Sequence, residues 1–456
     1  MKKYDQIEKL AEQFAKLIIA GSESDIREAL ELYGKDSREL CSTIISNGNT
    51  GIHILAQRHK PSIIKLVLDK GVDINARNNF GFTPLYVALF YGNVETAKFL
   101  MRCGADVNML LSRKSRTSLL HKLTFANRLQ AVQLLIEHGA DVNAKDREER
   151  SPLHLVMVKG NTKMATLLID SGCDINSVDE QQKSPLHTAL LCKNTEMAKL
   201  LIHAGADVTI RDRCGMTPLH LSVMAKFMDM AKMIIKRSTM NINTKEKLLG
   251  RTPLHLACAD NNLKLASLLL ENGADATLTT NFRKSPLHLT ALCGGAETTN
   301  LLLRYTSNIN ILTINNKTPL HIAVQEENFN VALILIQAGA NINLHDLHGL
   351  TALHYTAQSG NMECARLLMR YGANANDSDT RQMTPLHMAI QNGHIEVAKY
   401  LIRAGARITM TDEDNKVPFD YDETGEVKAS YERMQARLQR KRSLEAAAAA
   451  AAQTIG

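Results

Sequence analysis

The sequence predicts an all-α fold of the repeat-solenoid type, built from stacked helix-turn-helix units with hairpin-like fingers. Three observations predict it. A segment reading Thr/Ser-Pro-Leu-His recurs, with anchors at Thr50, Thr83, Ser118, Ser151, Ser184, Thr217, Thr252, Ser285, Thr318, Thr351 and Thr384. The step between anchors is 33 residues in eight of the ten intervals, and 35 from Thr83 to Ser118 and from Thr217 to Thr252. A glycine recurs in the same register, at Gly71, Gly104, Gly139, Gly172, Gly205, Gly273, Gly339, Gly372 and Gly405. With such a period each unit buries its apolar face only against its neighbours, so function is expected on exposed surface rather than in a single cleft.

Residues 1–48 carry two helical patterns, Ile7, Leu10, Phe14, Leu17, Ile18 and then Ile26, Leu30, Tyr33, separated by Gly21-Ser22. A stack needs terminal units with one polar face, and this pair is the expected N-terminal cap.

Residues 49–416 form the array. Each anchor hydroxyl can accept a hydrogen bond from the first turn of a helix. The next position is Pro at Pro84, Pro152, Pro185, Pro218, Pro253, Pro286, Pro319 and Pro385, where a fixed φ suits the first helical residue. Gly51, Leu119 and Ala352 stand in its place elsewhere, and Pro61 opens the second helical run of the first unit. Within one unit, Ser184 to Leu191 reads as a short helix, Lys193-Asn194 as a turn, and Met197, Leu200, Leu201 as the stripe of a second helix. The recurring glycine ends that helix in a left-handed conformation. Thr239 and Thr306 occupy this position in the other two units. A β-branched residue is strained at positive φ, so these two ends are expected to be built differently and to be locally weaker.

Residues 417–442 begin with Val417-Pro418-Phe419-Asp420, in register with Thr384 but with Asp420 and Asp422 where His and Ala stood. This reads as a degenerate C-terminal capping unit, followed by a basic helix with Arg437, Arg440, Lys441 and Arg442. Residues 443–456 are an Ala-rich tail.

Thr-Pro-Leu-His-x-Ala, a helix pair and Gly-Ala-Asp-Val-Asn together resemble the ankyrin repeat, over roughly Asn49 to Lys416. The resemblance implies two antiparallel helices and a finger per unit, and a curved stack that binds other proteins. Tyr86 departs from the pattern by replacing the motif histidine.

Catalysis is not expected. Ten of the sixteen histidines occupy the motif position (His53, His121, His154, His187, His220, His255, His288, His321, His354 and His387). Stacked units hold equivalent atoms roughly 8–10 Å apart, too far for a shared metal. Each is expected to be half-buried and to tie a helix start to neighbouring backbone. The sequence contains no Gly-rich phosphate loop, no Gly-x-Ser-x-Gly and no His-Glu-x-x-His. No cofactor is expected. His345 and His348 share one finger with Asp346, a pairing read as polar loop rather than as a zinc site.

The eight cysteines lack Cys-x-x-Cys spacing, and thiols in a reducing compartment are expected. The charged start of the chain lacks a signal-peptide pattern, and no apolar run is long enough to span a bilayer. A cytoplasmic, monomeric protein is therefore expected, with nuclear import and secretion as an effector as the alternatives.

Variation among units marks the partner surface. The fingers carry Arg113, Lys114 and Arg116; Arg211 and Arg213; Lys245, Lys247 and Arg251; and Arg283 and Lys284. Such cations would steer an acidic peptide or acidic protein face, with Phe80, Phe82 and Phe282 as apolar anchors. The net charge of +7 over so long a chain makes nucleic acid a poor partner. The expected role is a non-catalytic scaffold or adaptor. The alternatives are a pathogen effector or toxin-like array acting on host proteins or membranes, and the substrate-recruiting subunit of a ubiquitin ligase or other enzyme complex. The tail does not resemble an F-box or the leucine- and proline-bearing box of ligase-recruiting ankyrin proteins. The resemblance also implies that finger asparagines can be hydroxylated, and Asn108, Asn143 and Asn176 have the favoured Leu eight residues before and Asp two before.

Overall fold

The computed structural model describes residues 2–45, 48–58, 61–112 and 114–453. The chain divides into two compact units, Met1–Arg213 and Cys214–Gly456. Each is a stack of helix pairs, with almost no strand among the described residues.

In the first unit, the helices Lys2–Ala20 and Glu23–Leu32 precede the repeats. Ser22 starts the second of them, its hydroxyl accepting from the Asp25 amide while the Asp25 carboxylate accepts from the Ser22 amide. The sequence patterns do not announce the short helix Ser37–Ser42 that follows. Lys2–Ala20 packs on Gly51–Gln57, and Glu23–Leu32 on Pro61–Asp69, so the N-terminal pair occupies the places of a repeat's first and second helices.

The repeats then alternate a first helix with a second helix. Pro152–Lys159 with Thr162–Asp170 and Pro185–Leu191 with Thr195–His203 are two such pairs. First helices pack on first helices and second on second, which makes two layers. The second unit repeats this from Pro218–Met224 to Ile395–Arg403. Close packing depends on a fully buried alanine in the second helix, as at Ala198, Ala266, Ala332 and Ala398. Leu201, Leu269 and Leu335 beside them are wholly excluded from solvent, each contributing on the order of 2 kcal/mol of burial.

All nine glycines at the helix ends have positive φ, from 79° at Gly172 to 100° at Gly405. Thr239 and Thr306 do not adopt it. Met228–Arg237 instead runs one residue longer than its neighbours and ends in extended Ser238. Ala296–Leu302 stops two residues short, and buries Thr299, whose hydroxyl donates to Gly295 O and Thr290 Oγ1, where other units bury alanine.

The two long intervals have structural consequences. Between Thr83 and Ser118 the extra residues build a small antiparallel ladder, Leu110–Ser112 with Thr117–Ser118, which no other described finger forms. Between Thr217 and Thr252 they lengthen the reach of His220 to its backbone partner from the usual 29 residues to 31.

At the far end Pro418–Tyr421 is a single 3-10 turn, and Asp420 accepts the Val417 amide at 2.8 Å, the bond that His makes in the repeats. One helix, Glu426–Gln453, follows and crosses the boundary at residue 443 that composition suggests. Alanine has the highest helix propensity, so the change in composition does not end the helix. No described helix is long and apolar enough to cross a membrane.

Candidate protein-binding surface

The motif histidines form the frame that holds the fingers. They are buried rather than half-buried, His187, His255 and His354 being fully excluded from solvent. His154 Nδ1 accepts the Ser151 amide at 3.1 Å, and its Nε2 lies 3.0 Å from Lys183 O in the next finger. A carbonyl oxygen can only accept, so the proton sits on Nε2 and the ring is neutral. His255, His288, His321, His354 and His387 repeat the arrangement onto Lys284, Lys317, Leu350, Met383 and Lys416. Burial pushes His53, His154, His255, His288, His321 and His354 down to about 4, with the carbonyl partners opposing this only in part. The ring's role is positional: a helix start, a finger base and the next repeat are tied together through one side chain.

A second buried residue, five places before the anchor, closes most fingers and is invisible to motif reading. Asp146 Oδ1 accepts the amides of Glu148 and Arg150, and Asp179, Asp346, Asp379 and Asp412 do the same two and four residues on. In two successive fingers of the second unit the residue is Thr280 or Thr313, each accepting one amide, from Lys284 and Lys317. The exchange removes a carboxylate from each. The preceding finger keeps a buried acid, Glu246, six places before its anchor and bonded to three amides; together fingers 241–252, 274–285 and 307–318 hold six Lys or Arg against two acidic residues.

Fingers are also stitched to one another along their tips. Asn281 N donates to Leu249 O, Ile314 N to Phe282 O and Leu347 N to Asn315 O. Apolar side chains stand exposed on this row, namely Leu248, Phe282, Ile314 and Leu347. Phe282 and Ile314 border a groove together with Leu292, Lys284 and Lys317.

Of the sequence-selected cations, some serve the frame. Arg116 pairs with Glu149 at 3.3 Å, Arg251 reaches Glu246 at 3.5 Å, and Lys245 donates to Thr279 O. Lys114, Arg213, Lys247 and Arg283 are exposed, and Arg211 is exposed with a partner of its own. Lys284 is half-buried at the groove. Arg113 lies outside the described residues.

In the first unit the aromatic anchors join a larger cluster than Phe80 and Phe82 alone. Ring centroids are 6.0 Å apart for Phe80–Phe82, 4.4 Å for Phe82–Tyr86, and 5.6 Å for both Tyr86–Phe90 and Phe90–Tyr91. Tyr86, which replaces the motif histidine, is the centre of this ladder, and the Arg128 guanidinium lies 4.8 Å over Phe90.

Asn108, Asn143 and Asn176 each accept the amide of the next finger, from Asp141, Asp174 and Asp207 at 2.7–2.8 Å. His345 faces Asp377 at 3.8 Å, and His348 is exposed in the same finger; no group of three or more possible metal ligands occurs among the described residues. All eight cysteines are free thiols.

Comparison with known proteins agrees with this architecture. A profile described as "Ankyrin repeats (3 copies)" matches residues 15–110, 120–212, 205–280, 272–346 and 339–412. The mouse B-cell lymphoma 3 protein homolog is 36% identical over 118 residues, 25% of this chain and 26% of that protein. A putative ankyrin repeat protein of fowlpox virus is 30% identical over 115 residues, 25% of this chain and 19% of its own. The cattle ankyrin repeat and SOCS box protein 3 is 27% identical over 116 residues, 25% of this chain and 21% of its own. The matched segments thus span about a quarter or less of these relatives. With the profile covering most of its length in register with the helix pairs described above, the chain belongs to the ankyrin-repeat family.

Proposed function

We propose that this chain is a non-catalytic scaffold or adaptor, whose second unit captures a protein with an acidic face. Ankyrin repeats imply protein partners. The observation that carries the finer reading is the run of three fingers, 241–252, 274–285 and 307–318, in which cations outnumber acids and apolar tips stand exposed. Cations of one sign on a rim raise the encounter rate with an opposite surface, and the exposed Phe282 and Ile314 supply the apolar contact that retains it. Its eight free thiols fit a reducing, cytoplasmic setting, and we place it there as a monomer.

Capture from lysate with the wild type and with Lys247→Glu/Arg283→Glu tests the reading. Neither side chain is used by the frame, so the variant folds normally. Loss of the dominant partner is expected; unchanged recovery removes the acidic-partner reading and leaves only the array.

A further inference from the structure

A groove between the last repeat helix and the terminal helix has a charge arrangement that the fingers do not explain. Ile395–Arg403 packs against Glu426–Gln453, and the groove between them is lined by Lys399 and Arg403 from one side and by Arg433 and Arg437 from the other. Each pair is spaced four residues apart on its own helix, so each puts like charges on one helical face. Such like-charge pairs are unfavourable on a helix. Here two of them face a common space. Only Lys399 is compensated, by Glu396 at 3.0 Å and Glu426 at 3.2 Å. Among the described residues no carboxylate pairs with Arg403, Arg433 or Arg437.

We infer that this groove binds a phosphomonoester carried on a peptide, a phosphoserine or phosphothreonine segment. Three uncompensated guanidiniums call for more than one negative charge. A phosphomonoester carries about −1.5 to −2 and three acceptor oxygens, which guanidinium forks contact in pairs. A carboxylate would neutralise one of them. Ile402, Val427 and Met434 line the same groove, so the ligand presents an apolar side chain beside its anion, as a peptide does. Tyr431, the aromatic of the groove, is packed against Phe419 with ring centroids 5.7 Å apart, which disfavours base stacking and hence nucleic acid. The site lies outside the fingers and stands or falls apart from the acidic-partner reading.

The test uses the full chain and a fluorescein-labelled ten-residue peptide with one phosphoserine flanked by leucines. Its unphosphorylated twin, inorganic phosphate and a single-stranded RNA of equal charge are the comparisons. Anisotropy is expected to show at least tenfold tighter binding of the phosphopeptide than of the twin, with inorganic phosphate competing only weakly. Arg433→Ala/Arg437→Ala should lose at least tenfold, and Arg403→Lys, which keeps the charge but not the fork, several-fold. Both substitutions fall on exposed helix positions, and the melting temperature of each variant shows whether folding is kept. The labelled phosphopeptide in excess should raise the wild-type melting temperature more than its unphosphorylated twin does, and should not do so in the double variant. Equal binding of the twin, insensitivity to these substitutions, or tighter binding of the RNA overturns the assignment.

Discussion

Acidification should dismantle the array through its histidines, and the effect can be worked from the structure. Unfolding releases each motif imidazole to an ordinary value near 6.5, whereas burial holds His53, His154, His255, His288, His321 and His354 at about 4. Between these values the unfolded chain binds a proton that the folded chain refuses. Stability is therefore complete above pH 6.5 and is lost as pH falls toward 4. Integrating the difference gives a loss on the order of 2 kcal/mol per histidine at pH 5, with a slope of about 1 kcal/mol per pH unit near pH 5.5. Protonation at Nδ1 would also set its new N–H against the anchor amide that it now accepts, as at Ser285 and Thr351. Four of the six rings lie in the unit Cys214–Gly456, so the loss there is on the order of 8 kcal/mol, comparable with the whole stability of an ordinary domain. Urea melts followed by far-UV circular dichroism at pH 7.5, 6.5 and 5.5, with hydrogen exchange resolving the two units, measure this. His288→Gln should reduce the pH slope by about 1 kcal/mol per unit. Midpoints that do not move over this range, or an unchanged slope in the variant, would refute the neutral-histidine frame.

Further expectations follow from the same geometry. Thr252→Ala removes a hydroxyl that accepts the His255 amide and contacts its Nδ1, and should cost about 1–2 kcal/mol in chemical denaturation, localised by exchange to the adjoining repeats. Thr313→Asp restores the acid found in other fingers; it should add about 1 kcal/mol by a second amide bond while weakening capture of an acidic partner, two opposite changes read by melting and by pull-down. Hydroxylation of Asn108, Asn143 or Asn176 requires the amide ladder to open, so intact-mass analysis should find added oxygen on a fragment spanning them and not on the folded chain.

The repeat itself was legible because its cues are local. Thr or Ser before Pro starts a helix, glycine at positive φ ends one, and both recur in register, which placed the helix pairs and identified the histidines as frame rather than ligands. Where a cue was missing, at Thr239 and Thr306, the structure uses an extended residue and a shortened helix instead. The buried acid at Asp146 and its equivalents was not legible, since a lone Asp in a polar loop looks solvated until its amide partners are placed. That omission hid why two successive fingers are basic: Thr280 and Thr313 take the place of the carboxylate. It also left Arg116, Lys245 and Arg251 grouped with exposed cations, though each is engaged across or within a finger. The groove beside Arg403 and Arg437 was out of reach for a different reason. The terminal helix has no repeat register, so its packing against Ile395–Arg403 follows from tertiary contact alone.

Hydrogen exchange on the complex with the partner retained by wild type and lost by Lys247→Glu/Arg283→Glu tests most directly where recognition resides. Slowed exchange in fingers 241–252, 274–285 and 307–318 and in the first helices Pro286–Cys293 and Pro319–Gln325 is the predicted result. Fingers that exchange equally fast with and without that partner, while second helices such as Leu263–Glu271 become protected, would contradict it.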